Sequence, residues 1–369
     1  MKLDLLYEID VPYPWSDKPH PYAQREAEQE AYRNTIEQVK AADKLGFNTV
    51  WFVEHHFREN RSHCPSSEAV LGALSQVTEN VRLGFGVTLT PHEFIHPARV
   101  AEKVATVDVL SQGRVEWGIG RSTPMEQQAF GVDGPTSKAK MLAAAKTVVG
   151  MWDAQYYEEH SEYLDFPSRM VTPKPFQDPH PPCWMACNSA DSAELAGKNG
   201  LGMVAFSPLQ PVENIAKQVG IYRDAQENAV PLTGVSTNKV AGYTLVHAAD
   251  SMDDAVRNGI WDACSWWYRG LAEFIMKWEY PAFAPGEGVS IEEAFPMMTR
   301  PVEEFDDADM IIVGPPERCV EKMLRFADAG IDQLMCYVQF GKLPHESVMR
   351  SLELLGTEVI PELERRTSS

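Results

Sequence analysis

Short apolar segments and longer helical segments alternate along almost the whole chain, and this alternation limits the folds that it can adopt. Strands that alternate with helices form parallel sheets, and eight such units are the number that closes a barrel. The sequence therefore predicts an α/β fold, a (β/α)₈ TIM barrel. Its eight strands are predicted from their β-branched and aromatic residues at 3–9, 49–53, 81–89, 115–120, 184–186, 202–206, 239–246 and 333–338.

Two segments interrupt the alternation and are predicted to be insertions in the barrel. Residues 155–181 are rich in Tyr, Glu and Pro, which predicts a hairpin or an extended arm. Residues 277–310 hold four prolines and several acids without periodicity, which is typical of a lid. A short extra strand is predicted at residues 311–313. Because no stretch has the composition of a linker, we expect a single barrel domain over residues 1–369.

Composition excludes several classes of partner. The formal net charge is −20, whereas nucleic acids and anionic membranes bind basic faces. No apolar run approaches the ~20 residues of a membrane span, and Asp4 and Glu8 interrupt the first apolar segment, unlike a signal peptide. The six cysteines form no C-x-x-C pair, so we expect buried free thiols. We therefore expect a cytoplasmic protein that binds neither nucleic acid nor membrane.

The second predicted strand runs directly into Glu54, His55 and His56. In a barrel, chemistry takes place at the carboxyl ends of the strands, so these side chains are candidates for catalysis. Side chains alternate along a strand, and we expect one histidine to face a pocket while the other braces a neighbour. The alternative is a structural pair of hydrogen-bonded histidines. Adjacent histidines lack the i, i+4 spacing of a helical zinc site, so no metal site is predicted.

Two later segments indicate phosphate binding. Residues 118–122 are not a dinucleotide fingerprint, because Thr123 stands where the third glycine would be needed. They do place Arg121 after a strand, and arginine suits bidentate phosphate recognition. The alternative is a surface arginine beside a glycine turn. Residues 188–194 open a helix whose amino terminus would attract anions through Ser189 and Ser192. Asp191 and Glu194 there also fit a capping box.

Five stretches occur in the order and spacing found in one family. They are Val-Trp-Phe-Val-Glu-His-His-Phe at 50–57, His-Pro-Ala-Arg at 96–99, Gly-Arg-Val-Glu-Trp-Gly-Ile-Gly-Arg at 113–121, the junction at 186–196, and Val-Gly-Pro-Pro-Glu-Arg-Cys at 313–319. With these stretches the chain resembles the bacterial luciferase-like flavin-dependent monooxygenases, and especially the luciferase subunits. The similarity extends over nearly the whole chain.

The resemblance implies a barrel that holds reduced flavin at its carboxyl face. His55 matches the histidine that supports the flavin hydroperoxide and transfers protons. Arg121 matches the arginine that holds the flavin phosphate, and residues 277–310 match the mobile lid. Gly86-Val87 matches a cis peptide beneath the flavin ring, and Trp267 aligns with an aromatic residue near it. The expected cofactor site consists of Glu54, Gly86, Val87, Gly120, Arg121, Asn188, Ser189, Ala190, Ser192 and Trp267.

The function that follows is an FMN-dependent monooxygenase, which uses reduced FMN from a partner flavin reductase and dioxygen. A small, mostly apolar organic substrate is expected, because aromatic residues are predicted near the mouth of the site, at Trp15, Phe57, Phe94 and Trp267. A homodimer is expected, with a heterodimer as the alternative. Gly120 stands where luciferases carry a reactive cysteine, which argues against light emission.

Two other functions stay open. Gly86-Val87 is also the pair typical of the deazaflavin-using branch, so a deazaflavin-dependent dehydrogenase that transfers hydride is one alternative. A non-catalytic flavin-binding partner subunit is the other.

Overall fold

Residues 1–19, 21–59, 61–278 and 300–367 are described by a computed structural model, with the backbone alone described for residues 274–278. Its strands are β1 Lys2–Tyr7, β2 Thr49–Phe52, β3 Arg82–Leu89, β4 Val115–Gly120, β5 Tyr157–His160, β6 Asp165–Arg169, β7 Cys183–Cys187, β8 Gly202–Phe206, β9 Val240–Ala248, β10 Ile312–Gly314 and β11 Gln333–Tyr337.

Eight of these strands form one closed parallel barrel in the order β1, β2, β3, β4, β7, β8, β9, β11. Strand β11 pairs with β1, for example through Leu3 and Leu334, and this pairing closes the circle. The predicted (β/α)₈ barrel is therefore confirmed, and so are the eight strands predicted to build it. Closure brings the carboxyl ends of all eight strands together at one face.

Helices flank the barrel between successive strands. They are α1 Tyr22–Leu45, α2 Ser67–Ser75, α3 Pro97–Leu110, α4 Pro124–Phe130, α5 Ser137–Asp153, α6 Ala190–Lys198, α7 Val212–Gln226, α8 Met252–Arg257, α9 Ile260–Trp278, α10 Val302–Asp307, α11 Pro316–Asp328, α12 His345–Leu354 and α13 Ile360–Thr367, the last two joined by a π turn at Leu355–Val359. Gly46 ends α1 in the left-handed conformation (φ +86°), and Pro97 occupies the first turn of α3.

The amino-terminal end of the barrel is closed by buried tryptophans and a buried carboxyl group. Asp4 accepts hydrogen bonds from Asn48 Nδ2 at 2.8 Å, Trp51 Nε1 at 2.8 Å and Gln333 Nε2 at 2.9 Å. Burial outweighs these hydrogen bonds and raises the pKa of Asp4 to about 7. The Trp51 ring meets that of Trp184 edge to face, with the centroids 5.6 Å apart. These contacts stabilise the amino-terminal end of the barrel, and a functional site is expected at the opposite, carboxyl-terminal face.

The first predicted insertion interrupts the barrel where expected. Strands β5 and β6 form the antiparallel hairpin predicted at 155–181. Strand β10 is the predicted extra strand and pairs in parallel with β9. Of the predicted lid, residues 279–299 lie outside the described residues. The free cysteines are confirmed, because all six are unpaired and buried. Among the described helices, none combines the length and apolar character needed to cross a bilayer.

One predicted helix is wrong, and one helix was not predicted. The single helix predicted from residue 253 to about 275 is two helices, α8 and α9, because Gly259 between them adopts the left-handed conformation (φ +80°). Helix α4 was not predicted, although Pro124 at its start and Gly131 after its end are ordinary helix boundary residues. The second difference has a consequence for the site, since α4 carries one of its central carboxylates.

Candidate functional site

One cavity of about 560 Å³ lies at the carboxyl ends of the barrel strands. This volume is within the range of cavities that enclose a small-molecule ligand. The ends of all eight barrel strands, or the loops directly after them, contribute to its wall. Among the described residues, no group of three or more histidine, cysteine, aspartate or glutamate side chains is placed to bind a metal ion.

The cavity brings together most of the site residues that the sequence predicts. The predicted residues that line it are Glu54, His55, Gly86, Val87, Gly120, Arg121, Asn188, Ser192 and Trp267. Ser189 and Ala190 do not line it but occupy the cap and the first residue of α6, beside Asn188. Of the four aromatic residues predicted near the mouth, Trp267 lines the cavity, and Trp15, Phe57 and Phe94 do not.

His55 is held by a carboxylate that the sequence analysis did not identify. The Nδ1 atom of His55 lies 3.3 Å from Oε1 of Glu126, the third residue of α4. The same carboxylate accepts the backbone N–H of His56 at 2.6 Å and the hydroxyl groups of Ser122 at 2.5 Å and Thr123 at 3.1 Å. Glu126 thus fixes both the orientation of the His55 ring and the loop that carries it.

Glu126 is ionised despite having no solvent exposure. Burial alone would raise the pKa of its carboxyl group, but the charges of His55 and Arg58 and the hydrogen bonds to the carboxylate hold this pKa below its ordinary value. Its sequence signal is Thr123-x-x-Glu126, the pattern of a capping box. The structure shows a different use of that pattern, since Thr123 makes no capping hydrogen bond from its side chain and donates to Glu126 instead.

His55 and His56 have different neighbours, as expected, although β2 ends before either residue. His55 lines the cavity, whereas the His56 ring meets Phe130 edge to face, with the centroids 5.0 Å apart. Glu54 also lines the cavity, although alternation places it on the face opposite His55. The reason is that β2 ends at Phe52, so strict alternation does not extend to Glu54. Its carboxylate lies 3.2 Å from Lys103 Nζ.

The wall beyond β4 and β7 is rich in groups that bind anions. Arg121 follows β4 and donates through Nη1 to Ser137 Oγ at 3.1 Å, and Lys138 lines the cavity beside them. Across the neighbouring strand, α6 begins with a capping box formed by Ser189 and Ser192. The expected pairing of Asp191 with Glu194 is therefore wrong, because Ser189 rather than Asp191 occupies the cap position.

The peptide bond between Gly86 and Val87 is cis, as the family resemblance implies. Val87 lines the cavity and presses its side chain against β4. A Cβ atom on Gly120 would collide with Cγ2 of Val87, and one on Gly118 would lie 2.8 Å from Cγ1. The two glycines of β4 therefore make room for the side chain of Val87.

A buried charged group in the opposite wall was missed in the sequence. Glu8 follows β1 and accepts a hydrogen bond at 2.8 Å from Nη2 of Arg61, which lies between β2 and α2. Arg58 lines the same cavity, 3.8 Å from Glu126. Burial would raise the pKa of Glu8, but Arg61, His55 and Arg58 hold this pKa below its ordinary value. No local motif marks these residues, because their partners come from distant strands.

Comparisons with known proteins agree with this arrangement. The model of the luciferase-like monooxygenase family matches residues 13–333, and the chain belongs to that family. It is 26% identical over 348 residues to the oxygenase component of a flavin-dependent trigonelline monooxygenase from Acinetobacter baylyi, covering 91% of each chain. It is 25% identical over 352 residues to an F420-dependent glucose-6-phosphate dehydrogenase from Segniliparus rotundus, covering 91% of this chain and 96% of that one.

A solved structure supports the fold. The oxygenating constituent of 3,6-diketocamphane monooxygenase from Pseudomonas putida, in complex with FMN, superposes with a TM-score of 0.75 at 18% identity, covering 98% of each chain. At this identity the likeness establishes the barrel alone. The family thus includes flavin-dependent and F420-dependent relatives of this chain.

Proposed function

We propose that the protein is an FMN-dependent monooxygenase that uses dioxygen and reduced FMN to oxygenate a small organic substrate. The observation that carries this proposal is that one cavity holds both a set of cationic and hydroxyl groups suited to a phosphate and a histidine fixed by a buried carboxylate. The trigonelline relative is named as the oxygenase component of a flavin-dependent enzyme. We therefore expect a separate flavin reductase as the source of reduced FMN.

The residues present fit FMN. Arg121 and Lys138 supply positive charge for the phosphate, and the capped amino terminus of α6 supplies backbone donors beside Asn188 and Ser192. Gly86 and Val87 offer a flat apolar surface for the ring, and Trp267 and Glu54 belong to the same wall. When bound, reduced FMN supplies the electrons that activate dioxygen.

His55 is proposed to hold and move the proton that this chemistry requires. Its Nδ1 atom is bound to Glu126, so the Nε2 atom is the ring nitrogen that remains for a ligand in the cavity. A carboxylate bound to one ring nitrogen fixes the tautomer and stabilises the imidazolium when the other nitrogen takes a proton.

The alternative is a deazaflavin-dependent dehydrogenase that transfers hydride without dioxygen. It is favoured by the cis Gly86–Val87 pair and by the F420-dependent relatives. Anaerobic titration of the purified chain with reduced FMN and with reduced F420, followed by a pulse of dioxygen, separates the two. Tighter binding of FMN, with reoxidation after the pulse slower than that of free reduced FMN, supports the proposal, and a preference for F420 contradicts it.

The assembly is proposed to be a homodimer of one-domain chains, with a heterodimer or a non-catalytic partner subunit as the alternative. Light scattering of the purified chain gives its oligomeric state. If the chain alone slows the return of oxidised-FMN absorbance in air relative to free reduced FMN, a role as a non-catalytic subunit is excluded.

A further inference from the structure

Arg61 is held in a fixed orientation in the cavity wall. Its side chain is 9% exposed, and Nη2 donates to Glu8 Oε1 at 2.8 Å. Its guanidinium lies over the ring of Trp267, with Cζ 4.8 Å from the ring centroid. Glu8, Arg61 and Trp267 all line the cavity. Because an arginine loses less entropy on binding when its plane is already fixed, this guanidinium is prepared to receive a planar partner.

The donors of Arg61 are only partly used. A guanidinium has five N–H donors, and among the described residues Glu8 is the one acceptor that they find. The Nε atom is buried without an acceptor in the described part of the chain, and so is Oε2 of Glu8 without a donor. Both atoms are enclosed by protein, so the donors that remain for a ligand in the cavity are the terminal N–H groups of Arg61 that do not bind Glu8.

Tyr243 stands close to this pair. It lies on β9 and lines the cavity, and its phenol interacts electrostatically with Arg58, Arg61 and Glu8. Burial raises the pKa of Tyr243 above its ordinary value, so the hydroxyl group keeps its proton and is a donor. The wall therefore presents a hydroxyl donor and two guanidinium groups.

This wall lies across the cavity from the residues that are expected to bind the cofactor phosphate. Strands β9, β11, β1 and β2 are consecutive around the barrel, and they or the loops after them carry Tyr243, Glu8 and Arg61. Arg121 follows β4 and Asn188 follows β7, which are neighbours on the other side. A cofactor phosphate bound by Arg121 would leave Arg61 available to a second molecule.

The charges that line the cavity differ from those of the whole chain. The chain has a net charge of −20. The cavity is lined by four cations, Arg58, Arg61, Arg121 and Lys138, against two acids, Glu8 and Glu54, and Glu54 is paired with Lys103. Although Arg61 is paired with Glu8 and Arg58 lies 3.8 Å from Glu126, the excess of cations that line this cavity favours anionic ligands there.

We propose that the substrate carries a carboxylate group, which Arg61 binds with help from Tyr243 and Arg58. This inference rests on the proposed function only in placing substrate and cofactor in one cavity. A carboxylate accepts two parallel N–H donors from a guanidinium, which matches the planar edge of Arg61. It also gives an acceptor to guanidinium donors of Arg61 that a purely apolar substrate would leave unpaired.

The test compares two probes of nearly equal shape, benzoate and benzamide, by isothermal titration calorimetry of the purified chain. Benzoate is expected to bind at least about tenfold more tightly, because hydrogen bonds to charged groups are the stronger ones. Arg61→Lys keeps the positive charge but removes the two parallel N–H donors of the guanidinium. Most of the preference for benzoate should therefore be lost. Equal affinities in the native protein, or no binding of benzoate at millimolar concentration, would overturn the proposal.

Two further variants keep the test decisive. Glu8→Gln/Arg61→Gln removes both charges together, so that folding does not fail because of one unpaired buried acid, and this variant should also lose the preference. Arg121→Gln is the matched control and should retain it. If Arg121→Gln lost the preference for benzoate over benzamide and the Arg61 variants kept it, benzoate would be bound at the residues expected to hold the cofactor phosphate. That result would overturn the proposal. A failure of FMN to bind the native protein would contradict the proposed function, not this assignment.

Discussion

The Nδ1 atom of His55 lies 3.3 Å from Oε1 of Glu126, a carboxylate that solvent does not reach. The two residues come from different parts of the barrel face, the loop after β2 and helix α4. Glu126 also accepts the backbone N–H of His56, so it holds the loop as well as the ring. His55 is therefore oriented before any ligand arrives.

The tautomer of His55 should depend on Glu126. A carboxylate accepts the Nδ1–H of a neutral imidazole, whereas the amide of Glu126→Gln can present N–H groups that do not. We expect ¹⁵N NMR of labelled protein to show neutral His55 mainly as the Nδ1–H tautomer in the native protein and as a mixture in the variant. Glu54→Gln is the control, because Glu54 contacts Lys103 and His56 rather than His55. An unchanged tautomer in Glu126→Gln would contradict this role.

Discrimination between FMN and riboflavin should depend on Arg121. The two flavins differ by the phosphate, so Arg121→Gln should weaken binding of FMN by at least about tenfold and leave riboflavin nearly unchanged. Fluorescence titration with both flavins measures the difference. Lys198→Gln is a suitable control, since this cation lies on α6 and pairs with Glu194 on the surface. If Arg121→Gln weakened both flavins equally, Arg121 would have no specific role in phosphate binding.

Gly120 and Val87 should be energetically coupled. Because a Cβ at residue 120 would overlap Val87 Cγ2, Gly120→Ala is expected to lower the free energy of unfolding by about 1–3 kcal/mol. Val87→Ala removes the overlapping methyl groups, so the double variant should recover part of that loss. Urea unfolding of the four proteins measures the coupling. Additive losses would show that the two side chains do not compete for space.

Asp10 should make stability depend on pH. Its Oδ1 atom accepts a hydrogen bond from Tyr337 at 2.6 Å, and burial raises its pKa to about 7. Between its ordinary pKa and about 7, the folded protein keeps a proton that the unfolded chain has released, so this contribution to stability falls as pH rises. Asp10→Asn removes it. As the pH rises from 5 to 8, the free energy of unfolding of the variant should increase by about 2 kcal/mol relative to that of the native protein. Urea unfolding at both pH values measures this gain, and a constant difference would contradict the shift.

Local patterns were enough to predict the barrel and one wall of its cavity. The ends of β2 and β4 and the start of α6 each combine a strand or helix boundary with polar residues. Such boundaries depend on neighbours along the chain, so His55, Arg121, Asn188 and Ser192 could be assigned from sequence. The cis peptide at Gly86–Val87 came from family resemblance, because no local rule predicts it.

The charged pairs in and behind the cavity wall could not be predicted in this way. Arg61 is paired with Glu8, which is 53 positions away, and Glu126 is 71 positions from His55. These pairs exist because barrel closure brings different strand ends together, and no spacing rule reports such a distance. Charged residues are also expected at the surface of a protein, whereas Glu8 and Glu126 are buried acids.

The most direct test of the account follows the absorbance of oxidised FMN after anaerobically reduced FMN, bound to the protein, is mixed with air. The native protein should delay the return of this absorbance relative to free reduced FMN, because the cavity shields the reacting flavin from water and His55 holds the proton. His55→Ala should shorten the delay by at least about tenfold. A return as fast as that of free FMN in the native protein, or an equal delay in His55→Ala, would contradict the account.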